Sequence, residues 1–229
     1  VLAVDAGPLG HALSVEDQSA ITDVLLTHAH IDHIAGLPVF LDNVYQAGTK
    51  CPTIHAQPDT LHTLQTDLFN GRLMPDFIGM SRTLPPFLHL LEVGLGQFRV
   101  GRYSIVALPL DHTVPTVGYL IDDGSTAVAI LTDTASVPEV IAPLARWPRL
   151  RAVFLECSFP RRMAHLAAIT KHLTTEQFCE AMSRFPPEVG VYAVHIKPRY
   201  WYEVLTELQN EESATVRIGE PGSVVLVEP

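Results

Sequence analysis

Five times along this chain, a run of Val, Ile, Leu and Ala stops at a side chain able to bind a metal. Val24-Leu25-Leu26-Thr27 ends at His28, and Ile105 to Leu110 ends at Asp111 and His112. Ala127 to Thr132 ends at Asp133, Ala152 to Leu155 ends at Glu156, and Val191 to Val194 ends at His195. Continuous apolar runs of this length suit strands buried on both faces, which requires helices covering a sheet. Strands that all deliver His, Asp or Glu at their carboxyl ends predict one shared site along a sheet edge.

Helical patterns fall between the runs. The spacing predicts a helix from Gln57 to Phe69 with Leu61, Leu64 and Leu68 on one face. Thr174 followed by Gln177 is a capping box that opens a helix carrying Phe178, Ala181 and Met182. Trp201, Val204, Leu205 and Leu208 give a last amphipathic helix before a closing strand, Ser223 to Val227. Gly71 to Pro86, broken by Pro75, Pro85 and Pro86, reads as a loop or short-helix excursion near a site mouth. Interleaved strands and helices place the chain in the α/β class. No boundary is visible in 229 residues, so a single domain spanning 1–229 is expected.

Composition excludes several functions. With 25 acidic and 15 basic side chains the net charge is −10. A large nucleic-acid surface is therefore not expected, because phosphate affinity comes mainly from Lys and Arg. No apolar run approaches the roughly 18 residues of a membrane span, so no membrane partner is expected. Cys51, Cys157 and Cys179 are too few and too far apart for a disulfide framework or a thiolate zinc site. A cytoplasmic location is the expectation, although Val1 in place of Met leaves open a leader upstream and with it a periplasmic or secreted product.

The densest chemistry is His28-Ala29-His30-Ile31-Asp32-His33. At a strand end, residues two apart point the same way, so His28 and His30 suit one ion. A turn into a helix would swing Asp32 and His33 toward a neighbouring position. Imidazole and carboxylate are both zinc ligands. One short segment cannot enclose two ions, and His112, Asp133 and His195 are the natural further ligands. A carboxylate such as Asp133 can bridge two cations with its two oxygens.

This pattern resembles the metallo-β-lactamase superfamily, whose signature is His-x-His-x-Asp-His, and the resemblance runs from Val4-Asp5-Ala6-Gly7 almost to the end of the chain. It implies a four-layer αββα sandwich with the site at one edge of two sheets. It also implies that His28, His30 and His112 hold one metal, that Asp32, His33 and His195 hold the other, and that Asp133 bridges. Asp5-Ala6-Gly7 looks like the family's early strand and turn, with Asp5 supporting the metal loop. The usual strand or two ahead of that turn is absent from this sequence.

Within the superfamily, Glu156-Cys157-Ser158-Phe159 with Lys171-His172-Leu173-Thr174 is similar to the Glu…His-x-Thr region of the phosphodiesterase branch. That branch includes the tRNA 3′-processing endonuclease and the class II cyclic-nucleotide phosphodiesterases. The endonuclease often carries its tRNA-holding arm between the residues matching His112 and Asp133, and here only 21 positions separate them. Leu68-Phe69-Asn70 through Pro75-Asp76 resembles the class II Phe-Asn…Pro segment, and His195-Ile196-Lys197-Pro198 resembles that group's His-Ile-Lys-Pro. Hydrolysis of 3′,5′-cyclic nucleotides to nucleoside 5′-monophosphates is the leading expectation. A phosphodiesterase acting on RNA ends and a non-catalytic metal-binding scaffold are the alternatives.

The expected cofactors are two divalent ions, Zn first, with Mn or Fe as other occupants of such mixed ligands. A hydroxide shared by the ions would attack phosphorus. His172, oriented by Glu156, is the expected proton donor to the leaving oxygen, and Asp32 is a second candidate for proton transfer. Lys197, Asn70 and Phe69 are the expected substrate contacts, the last by stacking on a purine. Arg161 and Arg162 read equally well as a solvated basic surface. His11, His55, His62, His89 and His165 lack partners at ligand spacing and read as surface or core residues. The apolar excursion at 71–87 is a candidate contact surface for a homodimer.

Overall fold

The computed structural model describes residues 1–48, 50–210 and 216–228. The chain divides into two compact units, Val1–Gly94 and Leu95–Pro229. Each is a sheet with its own helices and its own apolar core. The mixed α/β class expected from the sequence is what the chain adopts.

The first unit holds β1 (Leu2–Val4), β2 (Asp23–Leu25), β3 (Thr53–Ala56) and β4 (His89–Glu92), all parallel and in sheet order β1-β2-β3-β4. Parallel neighbours need long crossovers, and helices supply them. The helix Leu37–Val44 buries Leu37, Phe40 and Leu41 in the same core as Val24 and Ile54. The helix predicted from Gln57 is present in two forms. Pro58–Thr63 is α-helical, and Leu64–Leu68 widens into a π-turn, with Phe69 N donating to Leu64 O at 2.8 Å. Beyond it the Pro-rich excursion holds a single short helix, Phe77–Met80, capped by the Asp76 carboxylate on Gly79 N. Tyr45, Phe87 and Phe77 stack in series, at 4.0 and 4.4 Å between centroids, and that stack folds the excursion onto the core.

The second unit holds β5 (Gly96–Val100), β6 (Tyr103–Leu110), β7 (Thr116–Asp122), β8 (Ala127–Leu131), β9 (Leu150–Glu156), β10 (Gly190–Val194) and β11 (Arg217–Ile218), in sheet order β11-β10-β9-β8-β7-β6-β5. β5 to β8 form an antiparallel meander, and β8 to β11 are parallel. Because β6 and β8 are both antiparallel to β7, they run the same way as β9 and β10. The carboxyl ends of β6, β8, β9 and β10 therefore lie along one edge. Helices Pro138–Leu144, Thr175–Met182 and Trp201–Gln209 cover one face of this sheet with Ile141, Phe178 and Val204. The capping box at Thr174 and Gln177 forms as expected.

Two expectations are corrected. The five ligand-bearing runs do not share one sheet: β2 belongs to the first sheet, and β6, β8, β9 and β10 belong to the second. Apolar runs specify burial and leave the choice of pairing partner open. The closing strand at Ser223 to Val227 also does not form, and Val224 and Leu226 are 85% and 86% exposed. Strand propensity needs a ladder to join, and the edge of β10 is already paired with Arg217–Ile218. No helix among the described residues is long and apolar enough to cross a membrane.

Candidate metal centre

In the first unit the chemistry is organised by Asp5, just past the end of β1. Its backbone turns into the left-handed region (φ 59°), unusual for a residue with a side chain, and its N–H donates to Leu25 O at 2.8 Å. The carboxylate accepts from Thr27 N at 2.8 Å and from Thr27 Oγ1 at 2.9 Å, and lies 2.7 Å from His33 Nδ1. Thr27 Oγ1 lies 2.9 Å from His28 Nδ1, and His28 Nε2 lies 2.9 Å from His30 Nδ1. The His28 and His33 rings are 4.2 Å apart. His28, His30 and His33 thus form one imidazole cluster. His30 stands at the position just before the helix Ile31–Ile34, whose first turn carries Asp32, more than half exposed.

Gly7 explains how closely this loop is held. A Cβ at Gly7 would come within 1.9 Å of Asp32 O, so only glycine lets the turn approach the helix backbone. Ala6 N donates to His33 O at 2.7 Å and Gly36 N donates to Ala6 O at 2.9 Å, which ties the turn to the helix at both ends.

In the second unit, Asp133 and His195 follow β8 and β10, both in the left-handed region at φ 58° and 57°. Asp133 Oδ1 lies 3.2 Å from His195 Nε2, and Oδ2 lies 3.5 Å from His112 Nε2. Ligand atoms of Asp133, His172 and His195 all fall within 4.8 Å of one another. His112 Nδ1 lies 3.1 Å from Lys171 O, and the Lys171 ammonium holds Asp111 at 2.5 Å. Lys171 is itself left-handed (φ 53°), where it ends the helix Ala164–Thr170.

Glu156, fully buried at the last position of β9, anchors the rest. It accepts from Thr134 N at 2.5 Å, Ser158 Oγ at 2.7 Å and Leu173 N at 3.2 Å. His172 Nδ1 is 3.1 Å from both of its oxygens. Ser158 Oγ in turn lies 3.1 Å from His195 Nδ1. Thr27 and Ser158 were not singled out by the sequence, because an isolated hydroxyl beside a ligand has no pattern of its own.

The expected substrate contacts fare differently. Phe69 is 1% exposed and packs 5.5 Å from Phe77 in the first core, and it lines, with Asn70, Asp76 and Arg82, a small cavity of the first unit. The apolar neighbours Leu64 and Leu68 that make a helix face also pull Phe69 inward. The Asn70 amide donates to Thr66 O and Asp67 O, and its oxygen accepts from Arg72 N and Leu73 N, so it shapes the turn after the π-helix. Lys197 is half-buried, two residues beyond His195. Arg162 pairs with Glu203 at 2.6 Å on the surface. Burial pushes the thiols of Cys51, Cys157 and Cys179 up, which keeps them protonated near neutral pH and poor metal ligands.

A sequence profile described as the β-lactamase superfamily domain matches residues 4–196, through both units. The chain belongs to this superfamily. Among curated proteins, a Saccharomyces cerevisiae 3′,5′-cyclic-nucleotide phosphodiesterase 1 is 44% identical over 57 residues, 24% of this chain and 15% of that protein. A ribonuclease Z from Kineococcus radiotolerans is 27% identical over 236 aligned positions, covering 86% of this chain and 72% of that one. Among solved structures, unliganded yeast PDE1 matches 88% of this chain and 66% of its own at a TM-score of 0.66 and 19% identity. The metallo-β-lactamase fold protein YhfI of Bacillus subtilis reaches 0.72 at 17% identity, over 97% and 85%. These structural likenesses establish the metallo-β-lactamase fold. The chain spans under two thirds of the yeast enzyme's length.

Proposed function

We propose that this chain is a metal-dependent phosphodiesterase that opens 3′,5′-cyclic nucleotides to nucleoside 5′-monophosphates. The reading is carried by the buried Glu156–His172 pair beside Asp133 and His195, an acid–base couple next to ligands. The residues suit divalent cations. The two Asp133 oxygens each face a different imidazole, as a bridging carboxylate needs, and the donors are imidazoles and carboxylates, suited to Zn, Mn or Fe. The superfamily signature assigns His28, His30, Asp32 and His33 in the first unit, and His112, Asp133 and His195 in the second, to two ions. When bound, such ions polarise phosphate oxygens and lower the pKa of water.

The protein's own groups supply the rest. With Nδ1–H given to Glu156, His172 presents Nε2 as the atom from which a proton is donated. As water adds to phosphorus and the P–O3′ bond breaks, a proton from Nε2 passes to the leaving O3′ and the proton that the water gives up returns to Nε2, so O3′ leaves as a hydroxyl and the imidazole is restored. Lys197 offers a cation for a substrate phosphate oxygen.

A small substrate is favoured by the β7–β8 connection. Between His112 and Asp133, the interval in which the tRNA-processing enzymes often carry an arm, β7 and β8 close through Asp123-Gly124-Ser125-Thr126, with the Asp123 carboxylate accepting from Ser125 N and Thr126 N. The second reading, cleavage of tRNA 3′ ends, is favoured by the longer alignment to ribonuclease Z. Turnover of cyclic AMP, cyclic GMP and a tRNA precursor by the metal-loaded protein tests the choice. Hydrolysis of the cyclic nucleotides alone supports the proposal, and cleavage of the precursor alone overturns it.

A further inference from the structure

Each unit contains a carboxylate, a hydroxyl and an imidazole in series, and in each the carboxylate reaches two histidines. Glu156 meets His172 Nδ1 directly and reaches His195 only through Ser158. Asp5 meets His33 Nδ1 directly and reaches His28 only through Thr27. Both hydroxyl residues are fully buried, with relative exposure of 0%. We propose that Ser158 and Thr27 are positioning residues that fix the tautomers of His195 and His28, and so present Nε2 of each as the metal-binding atom. The proposal rests on the metal-dependent reading above.

The direction of each relay follows from donor and acceptor capacity. An ionised carboxylate only accepts, so the Ser158 proton goes to Glu156 Oε2 at 2.7 Å. The His195 carbonyl oxygen, at 3.1 Å from Ser158 Oγ, is the longer and uncharged alternative. Ser158 Oγ is left with lone pairs toward His195 Nδ1 at 3.1 Å, and Nδ1 must bring the hydrogen. A neutral imidazole protonated on Nδ1 has its lone pair on Nε2, which faces the Asp133 Oδ1 acceptor at 3.2 Å, so the two acceptors converge on a position that suits a cation. The same logic runs through Thr27: its proton goes to Asp5, and its oxygen accepts from His28 Nδ1 at 2.9 Å. Without the hydroxyl, the His195 ring loses the acceptor that sets its tautomer and orientation.

Long-range ¹⁵N–¹H spectra of the histidine-labelled, zinc-free protein read the tautomers, and competition with a chromogenic chelator reads zinc affinity. The expected result is His195 and His28 protonated on Nδ1 in the wild type. Ser158→Ala mixes the His195 tautomers and weakens zinc binding about 10–100-fold, while Ser158→Thr, which keeps the hydroxyl, restores both. A wild-type His195 protonated on Nε2 overturns the proposal without any variant, as does a folded Ser158→Ala protein that binds zinc as the wild type does. If tautomers and zinc affinity behave as stated and no cyclic nucleotide is hydrolysed, the relay stands and the substrate assignment falls.

Discussion

Glu156 and His172 form a buried pair in which Nδ1 sits 3.1 Å from each carboxylate oxygen. Glu156 thereby fixes the orientation of the ring and, by accepting from Nδ1, its tautomer. His172→Ala is expected to lower kcat for a cyclic nucleotide by about 10²–10⁴ while the protein retains two metal ions. Steady-state kinetics with elemental analysis of the same sample check this. Loss of the metal together with activity would assign His172 to the ligand set.

Gly7→Ala is expected to disturb the metal loop. The added methyl group meets Asp32 O at 1.9 Å, backbone that cannot move without shifting the helix Ile31–Ile34. A destabilisation of about 1–3 kcal/mol is expected, as for other overpacked sites. Urea denaturation would show it, and a matching fall in zinc affinity would show that the strain reaches His33.

Much of this site was legible in the sequence because metal chemistry concentrates rare residue types at strand ends. His28, His30 and His33 do gather, and Asp133, His172, His195 and Glu156 do meet. What was not legible depends on backbone conformation or on packing. Asp5, Asp133 and His195 are left-handed, a state that no side-chain pattern announces. Thr27 and Ser158 act through a single hydroxyl each. The burial of Phe69 was not legible because a motif match says nothing of packing, and Ser223 to Val227 was misread because β-propensity does not supply a partner strand.

Phe69→Leu separates packing from stacking. With the ring buried against Phe77, the change is expected to cost about 1–2 kcal/mol of stability and to leave KM unaltered. A raised KM at unchanged stability would restore Phe69 to the substrate pocket.

Acid sensitivity is expected at the β7 terminus. Asp122 is buried and accepts from Arg149 Nε at 3.0 Å, Arg149 Nη2 at 2.7 Å, Trp147 Nε1 at 2.9 Å and Gly124 N at 2.7 Å. The Arg149 hydrogen bonds, foremost, hold its carboxyl below the ordinary range. A carboxyl depressed on folding stabilises the native state above its unfolded pKa, and that share is lost as pH falls through the folded value. Asp122→Asn should therefore lower Tm at pH 7, and the gap from wild type should narrow progressively below about pH 4. A pH-independent gap would contradict this.

The measurement closest to the central claim is product analysis after the chelated protein is reloaded with two equivalents of zinc and given 3′,5′-cyclic AMP. The account predicts no turnover before reloading, and 5′-AMP as the product after it. Release of 3′-AMP, or a zinc-loaded protein that leaves cyclic AMP intact while trimming precursor tRNA, would contradict it.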